Sequence, residues 1–190
     1  MSDVSPAPTR SPRADAARNR ERLLAAAAVV FSAGGREASL EAVARRAGLG
    51  VGTLYRHFPT REALFEAVYR REVDELAALA DTLLEAEPGE ALRRWVRANI
   101  AFVATKKGMA AALALAAYNK DLTAYSFERL TQALDLLMQR ARAAGALRAD
   151  VTPQDLLRAL VGFCMVNDQP GWQATALRLI DVFMDGLLKD

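Results

Sequence analysis

The residues able to do chemistry in this chain are few and widely separated. Cys164 and His57, the lone cysteine and the lone histidine, form the one conceivable nucleophile–base pair, and more than a hundred residues lie between them. No glycine-rich phosphate loop, metal-ligand spacing or nucleophile elbow accompanies them. Acidic residues are scattered as on solvated helix faces, so the sequence argues against an enzyme and requires no cofactor or metal. A single cysteine also excludes an internal disulfide framework. The dense group of polar side chains lies instead in SLEAVARRAGLGVGTLYRHF, residues 39–58. There Thr53, Tyr55, Arg56 and His57 crowd together, with Ser39 before them and Arg61 just after. These are hydroxyls, guanidinium groups and an imidazole, the types that contact phosphates and base edges.

That run must be positioned by helices, and its spacing supplies them. Ser39 suits an N-cap, and Leu40, Val43, Ala44 and Ala47 follow at i, i+3, i+4 and i+7. Gly48 fits a left-handed turn. A third short helix covers about Val51 to His57, and Pro59 drives Phe58 out of helical geometry. Ala44 and Ala47 allow two short helices to cross closely, as a helix-turn-helix requires. Leu49, Leu54 and Phe58 then anchor the second of them. Its other face, with Val51, Gly52, Thr53, Tyr55, Arg56 and His57, is free to enter a major groove.

The rest of the chain has helical spacing throughout, with no convincing period-two alternation. A helix from about Ala16 to Ala33 presents Leu23, Leu24, Ala27, Val30 and Phe31 on one face and stops at Gly34-Gly35. Thr60 caps a long fourth helix reaching about Leu83, before the Glu-Pro-Gly break at 87–89. Further helices are expected at roughly 90–105, 108–119, 121–144, 153–167 and 171–188, separated at Gly108, Asp121, Gly145, Pro153 and Pro170-Gly171. The expected fold is all-α, with about nine helices in two parts.

Composition agrees with this plan. Half the residues are apolar, 52%, enough for a packed core. No apolar run is long enough to span a bilayer. The Pro- and Ser-rich start, MSDVSPAPTRSP, lacks a signal-peptide centre and reads as a disordered arm over residues 1–15 of a cytoplasmic protein. The net charge of +2 hides an asymmetry. Residues 1–71 carry 12 arginines against 7 acidic residues, and residues 72–190 carry 13 basic against 16 acidic. A basic N-terminal part suits one nucleic-acid-facing end.

Residues 16–75 resemble the DNA-binding domain of the tetracycline-repressor (TetR) family of bacterial regulators. The informative stretch is ARRAGLGVGTLYRHFPTREALFEAV, above all Gly-Thr-Leu-Tyr-Arg-His-Phe-Pro followed by Arg-Glu-Ala-Leu. The resemblance implies a helix-turn-helix at 39–58 and a second domain, residues 76–190, for effector binding and dimerisation. It also implies roles for individual residues. Ser39, Thr53, Tyr55, His57 and Arg61 would hold phosphates or sugars, Val51 would touch a thymine methyl, and Arg56 a guanine or the backbone. Gly50 and Gly52 depart from many members by placing no side chain on that face, which shifts readout toward close backbone approach and DNA shape. Without the motif, His57 reads rather as a helix cap or a packed side chain, and Arg45 and Arg46 read equally as a solvated face or a DNA contact.

The partners implied are operator DNA, a second copy of the chain and a small, mostly apolar effector of unknown identity. In relatives the last two long helices pair across a two-fold axis, which nominates Leu156, Leu160, Leu177, Ile180, Phe183 and Met184. The alternative is that these simply form the domain's own core. An effector pocket would draw on Trp95, Asn99, Phe102, Met109 and Leu113. Tyr118, Tyr125, Phe163 and Trp172 complete the candidates. Asn99 and Tyr118 stand out because buried polar groups need partners. The implied activity is that of a repressor released by its ligand, with an effector-free regulator controlled by a protein partner as the alternative. A filled C-terminal core would favour that alternative, and a cavity would oppose it.

Overall fold

A computed structural model describes residues 12–33, 38–112, 120–165 and 171–189. Among them are eight helices: α1 Pro12–Ala33, α2 Leu40–Arg46, α3 Val51–His57, α4 Arg61–Thr82, α5 Pro88–Ala112, α6 Lys120–Ala143, α7 Pro153–Met165 and α8 Trp172–Leu187. The sheet-like pairing found among the described residues is one isolated bridge, Leu147 with Leu188. No described helix is long and apolar enough to cross a membrane.

Local chemistry sets the helix boundaries. The Ser39 hydroxyl accepts from the Ala42 amide at 3.1 Å, and the Thr60 hydroxyl from the Ala63 amide at 3.1 Å. Each satisfies one of the N-terminal amides that a helix leaves unpaired. Pro88 occupies the first turn of α5, where a missing N–H is harmless. Glu87 before it accepts from the amides of Gly89 and Glu90 at 2.9 and 2.7 Å. Those two bonds hold its carboxylate below its ordinary pKa. Before α7, Thr152 and Asp155 exchange side-chain-to-amide bonds in a capping box.

Helix α5 corrects the expected break at Gly108. It runs unbroken to Ala112, so the described residues hold eight helices where about nine were expected. The remainder of the expected 108–119 helix lies outside the described residues, as do Gly34-Gly35 and Pro170. Gly108 is a contact glycine: a β-carbon there would lie 2.8 Å from the carbonyl carbon of Phe31, and closer still to its oxygen. Glycine costs about 1 kcal/mol inside a helix, and here it permits α1 and α5 to meet backbone to side-chain-free backbone.

One continuous apolar core joins the two expected parts. It runs from Leu23, Phe31, Leu54 and Leu64 through Trp95 to Leu134, Leu156 and Ile180. Helix α1 packs on α5, and α4 packs on both α5 and α6. Trp95 fastens α5 to α4 by donating its indole N–H to the Leu76 carbonyl at 2.8 Å. The division expected at residues 75 and 76 therefore falls within α4, a single helix spanning both parts.

Candidate nucleic-acid interface and interior cavity

The N-terminal end is built around Leu54. This side chain is fully buried and Phe58 nearly so, which holds α3 by one edge in the core beside its packing partner α2. The Arg20 guanidinium lies 5.4 Å from the Phe58 ring centroid and covers it from the α1 side. The turn from α2 needs Gly48, whose φ is +64° and whose missing β-carbon would meet the Arg22 guanidinium at 2.9 Å. Arg22 donates to the Ala47 carbonyl at 2.5 Å, closing the turn from α1.

With Leu54 inward, the opposite face of α3 is open. Gly50, Val51, Gly52, Tyr55 and Arg56 are exposed, and Thr53 and His57 half-buried. Arg56 donates to the Thr53 hydroxyl at 2.9 Å, which orders two of the polar groups on this face. Ser39 is half-buried at the start of α2 and Arg61 exposed at the start of α4. The two starts are neighbours. Glu41 is held below its ordinary pKa by its own backbone amide, then by the Ser39 hydroxyl, and Arg61 adds a favourable charge. Two helix N-termini, a guanidinium and the α3 face thus form one surface, whose dipoles and charge favour an anion. Arg45 and Arg46 are exposed and line shallow depressions beside Val29 of α1.

A cavity of about 240 Å³ lies between α4, α5, α6 and α7. Phe102, Val103, Leu130 and Leu157 form apolar walls, with Tyr69, Asn99 and Ser126 deeper in and Lys106, Thr123 and Arg158 among the polar lining. Tyr69 donates to the Ser126 hydroxyl at 2.8 Å, and Ser126 donates onward to the Thr123 carbonyl at 3.0 Å.

Two of the nominated pocket residues, Asn99 and Phe102, line this space. Trp95 and Met109 are buried core instead. Tyr125 donates outward to Asp74 at 2.7 Å, Phe163 packs edge-on against Phe183, and Trp172 lies under the Lys107 ammonium at 4.5 Å. Leu113 and Tyr118 fall outside the described residues. Sequence reasoning misses Tyr69 because it lies within residues 16–75, the part expected to be the DNA-binding domain, although a tyrosine on the apolar face of α4 is a usable signal. It also missed Lys106 and Arg158, whose charges read as ordinary solvated positions.

Four of the six residues nominated for a dimer face turn inward. Leu156, Leu160, Ile180 and Met184 are fully buried within the chain's own core, because the helical period turns them toward α5 and α6, while Leu177 and Phe183 are half-buried. The apolar side chains left open on these helices are Val161 and Met165 on α7 and Leu179 and Val182 on α8. Cys164 is also buried, and burial pushes its thiol up to about 11, against the opposing charge of Lys107. It is therefore a neutral thiol at physiological pH.

Comparison with known proteins gives the arrangement a context. Residues 23–68 match the family described as bacterial regulatory proteins, tetR family. Residues 87–189 match the C-terminal domain of SbtR-like transcriptional regulators. The HTH-type transcriptional repressor KstR of Mycolicibacterium smegmatis is 43% identical over 63 residues, which is 33% of this chain and 31% of the repressor. KstR of Mycobacterium tuberculosis shows the same identity over 63 residues, 33% of this chain and 29% of that one. The match thus spans under a third of the length of these curated relatives. Solved structures match far more of the chain. A TetR transcriptional regulator from Streptomyces coelicolor is 47% identical, with a TM-score of 0.77 over 89% of this chain and 98% of that one. A TetR regulatory protein from Mycobacterium vanbaalenii is 36% identical, with a TM-score of 0.72 over 94% and 100%.

Proposed function

The chain belongs to the TetR family of bacterial transcriptional regulators, and we propose that it is an operator-binding repressor released from DNA by a small, mostly apolar ligand. The observation that carries the DNA half is the division of α3. Leu54 and Phe58 are sealed into the core while Val51, Gly52, Tyr55 and Arg56 stand in solvent. Nothing in the fold itself needs an exposed valine and tyrosine on a seven-residue helix, and a groove-reading helix does. Arg61, Ser39, Thr53, Tyr55 and His57 hold the phosphates flanking the groove, and Arg56 and Val51 reach base edges. Gly50 and Gly52 let the backbone come close.

One α3 covers only a few base pairs, so the active form is a two-fold dimer on a near-palindromic site. The open apolar side chains of α8, Leu179 and Val182, supply its interface, with Val161 and Met165 of α7 exposed beside them at the edge of the cavity they line. The cavity supports ligand control over the effector-free alternative, which expects a filled core. It also has the right neighbour: Tyr69 lines it from α4, the helix whose first residue is Arg61. Ligand acts by binding the DNA-incompetent arrangement more tightly, and the coupling is reciprocal.

The test is selection of bound fragments from the source genome with purified protein at fixed salt. A short palindromic sequence should emerge, and Tyr55→Ala or Arg61→Ala should bind it far more weakly while remaining folded. Arg61→Ala should also reduce the salt slope by about one phosphate contact. Weak binding without sequence preference, or normal binding by both variants, would remove this assignment.

A further inference from the structure

We propose that the cavity between α4, α5, α6 and α7 takes an apolar molecule bearing one carboxylate, held by Lys106 and Arg158, and a neutral hydrogen-bonding group at its far end, met by Asn99. This rests on the reading of the cavity as an effector site and gives that effector a chemical class.

Not every polar group around the cavity remains to be satisfied. Tyr69 and Ser126 do not, since each already takes part in the chain that ends at the Thr123 carbonyl. Asn99 does. Its side chain is 1% exposed, and its Oδ1 has no hydrogen-bond partner among the described residues. A buried amide oxygen without a partner is a standing penalty, and this one lines a cavity with room for an occupant. An amide oxygen only accepts, so a hydroxyl on the ligand, which can donate to it, suits it.

Charge decides the other end. Lys106 and Arg158 line the cavity, and among the described residues no aspartate or glutamate does. The Lys106 ammonium sits 5.2 Å from the Tyr69 ring centroid, with no carboxylate partner among the described residues. Arg158 lies over Phe127 at 5.3 Å and has a loose exposed partner in Asp155 at 3.9 Å. Two cations over aromatic rings at an apolar cavity favour an anion and oppose a cation. The volume of about 240 Å³ falls just below the roughly 300–1,000 Å³ usual for small-molecule sites. A compact occupant with its charged group toward the exposed Arg158 therefore fits.

Calorimetric titration of the full-length protein with matched ten-carbon probes below their micelle concentrations tests this. Decanoate should bind about tenfold or more tightly than decan-1-ol, and decyltrimethylammonium should bind most weakly. Lys106→Met should bring decanoate down toward decan-1-ol and leave decan-1-ol unchanged. 10-Hydroxydecanoate should outbind decanoate in the natural chain, and Asn99→Leu should reverse that order. If decan-1-ol or the cation binds as well as decanoate, the cavity stands as a ligand site and the carboxylate assignment falls. If the hydroxyl brings no gain, or the order survives Asn99→Leu, the role of Asn99 falls. If none of the four probes binds, the effector-site reading fails with it.

Discussion

Replacing Gly108 by alanine separates two effects that usually travel together. In an open helix Gly→Ala stabilises by about 1 kcal/mol through helix propensity. At Gly108 the added methyl would lie 2.8 Å from the Phe31 carbonyl carbon, where ordinary contact begins at 3.4 Å, and nearer still to the oxygen. The obstacle is backbone, so no rotamer change relieves it. The oxygen is the limiting atom, so helices α1 and α5 must part by more than about an ångström, along a contact that includes the fully buried Phe31 and Met109. Overpacking of this kind costs about 1–3 kcal/mol, and a backbone obstacle puts it at the upper end. After the propensity gain, a net loss of about 2 kcal/mol remains. For a chain of this size that lowers Tm by roughly 4–8 °C. Thermal unfolding at fixed protein concentration, checked by a denaturant midpoint with unchanged slope, reads it directly. An unchanged or raised Tm would refute the close approach of α1 to α5, and with it the reason α5 passes through Gly108 unbroken.

Gly52→Ala should do the opposite. No atom beyond its own helix and chain neighbours lies within 4 Å of its missing β-carbon, so the variant should gain up to about 1 kcal/mol of stability and, on the proposed close approach of this backbone to DNA, lose operator affinity in a gel-shift assay. Val182, 72% exposed on α8, is the sharpest probe of the dimer: Val182→Glu places two charges in a two-fold apolar interface at a cost of about 3 kcal/mol or more, and light scattering should find monomer at concentrations where the natural chain is dimeric. Glu72 is pushed above the ordinary glutamate range mainly by burial and next by Glu75, with Arg71 opposing. A carboxyl with a raised folded pKa destabilises the fold once pH rises above its unfolded value near 4.5. Glu72→Gln should therefore raise Tm at pH 7.5, and the gain should vanish below about pH 4.

The N-terminal end was legible because its determinants are local. The Ser39 cap, the Gly48 turn, the Pro59 stop and the period placing Leu54 inward are all read within twenty residues, and the fold realises each. Gly108 was misread for the converse reason: whether a mid-helix glycine breaks the helix or admits a neighbour depends on Phe31, 77 positions away. The same distance problem affects the cavity. Trp95, Phe163 and Trp172 are the kinds of residue that line pockets, yet long-range packing decides that Trp95 bonds to Leu76 while a tyrosine on α4 reaches the cavity. On α7 and α8 the error was one of face. Their apolar positions nearly encircle the helix, and the period alone cannot say whether Ile180 or Val182 meets α5.

The bond between Tyr69 and Ser126 allows the link between cavity and DNA surface to be tested without knowing the ligand. Tyr69 lies eight residues after Arg61 on α4, so about 12 Å along the axis, and makes no part of the DNA face. It is 1% exposed, and its hydroxyl ties α4 to α6 at 2.8 Å. Tyr69→Phe keeps the ring that stacks on Phe65 and meets Phe102 at a tilt and removes only this tie. Ser126 still donates to the Thr123 carbonyl, so the loss is that of one hydrogen bond, about 1 kcal/mol. If the setting of α4 governs operator affinity, part or all of that energy appears in the DNA equilibrium, a change of up to about sixfold. Trp95 and the apolar contacts of α4 resist the shift, and they set the opposing expectation. Should Tyr69→Phe bind operator with unchanged affinity while its Tm falls, the tie stabilises the fold alone, and α4 is not the element through which the cavity speaks to DNA.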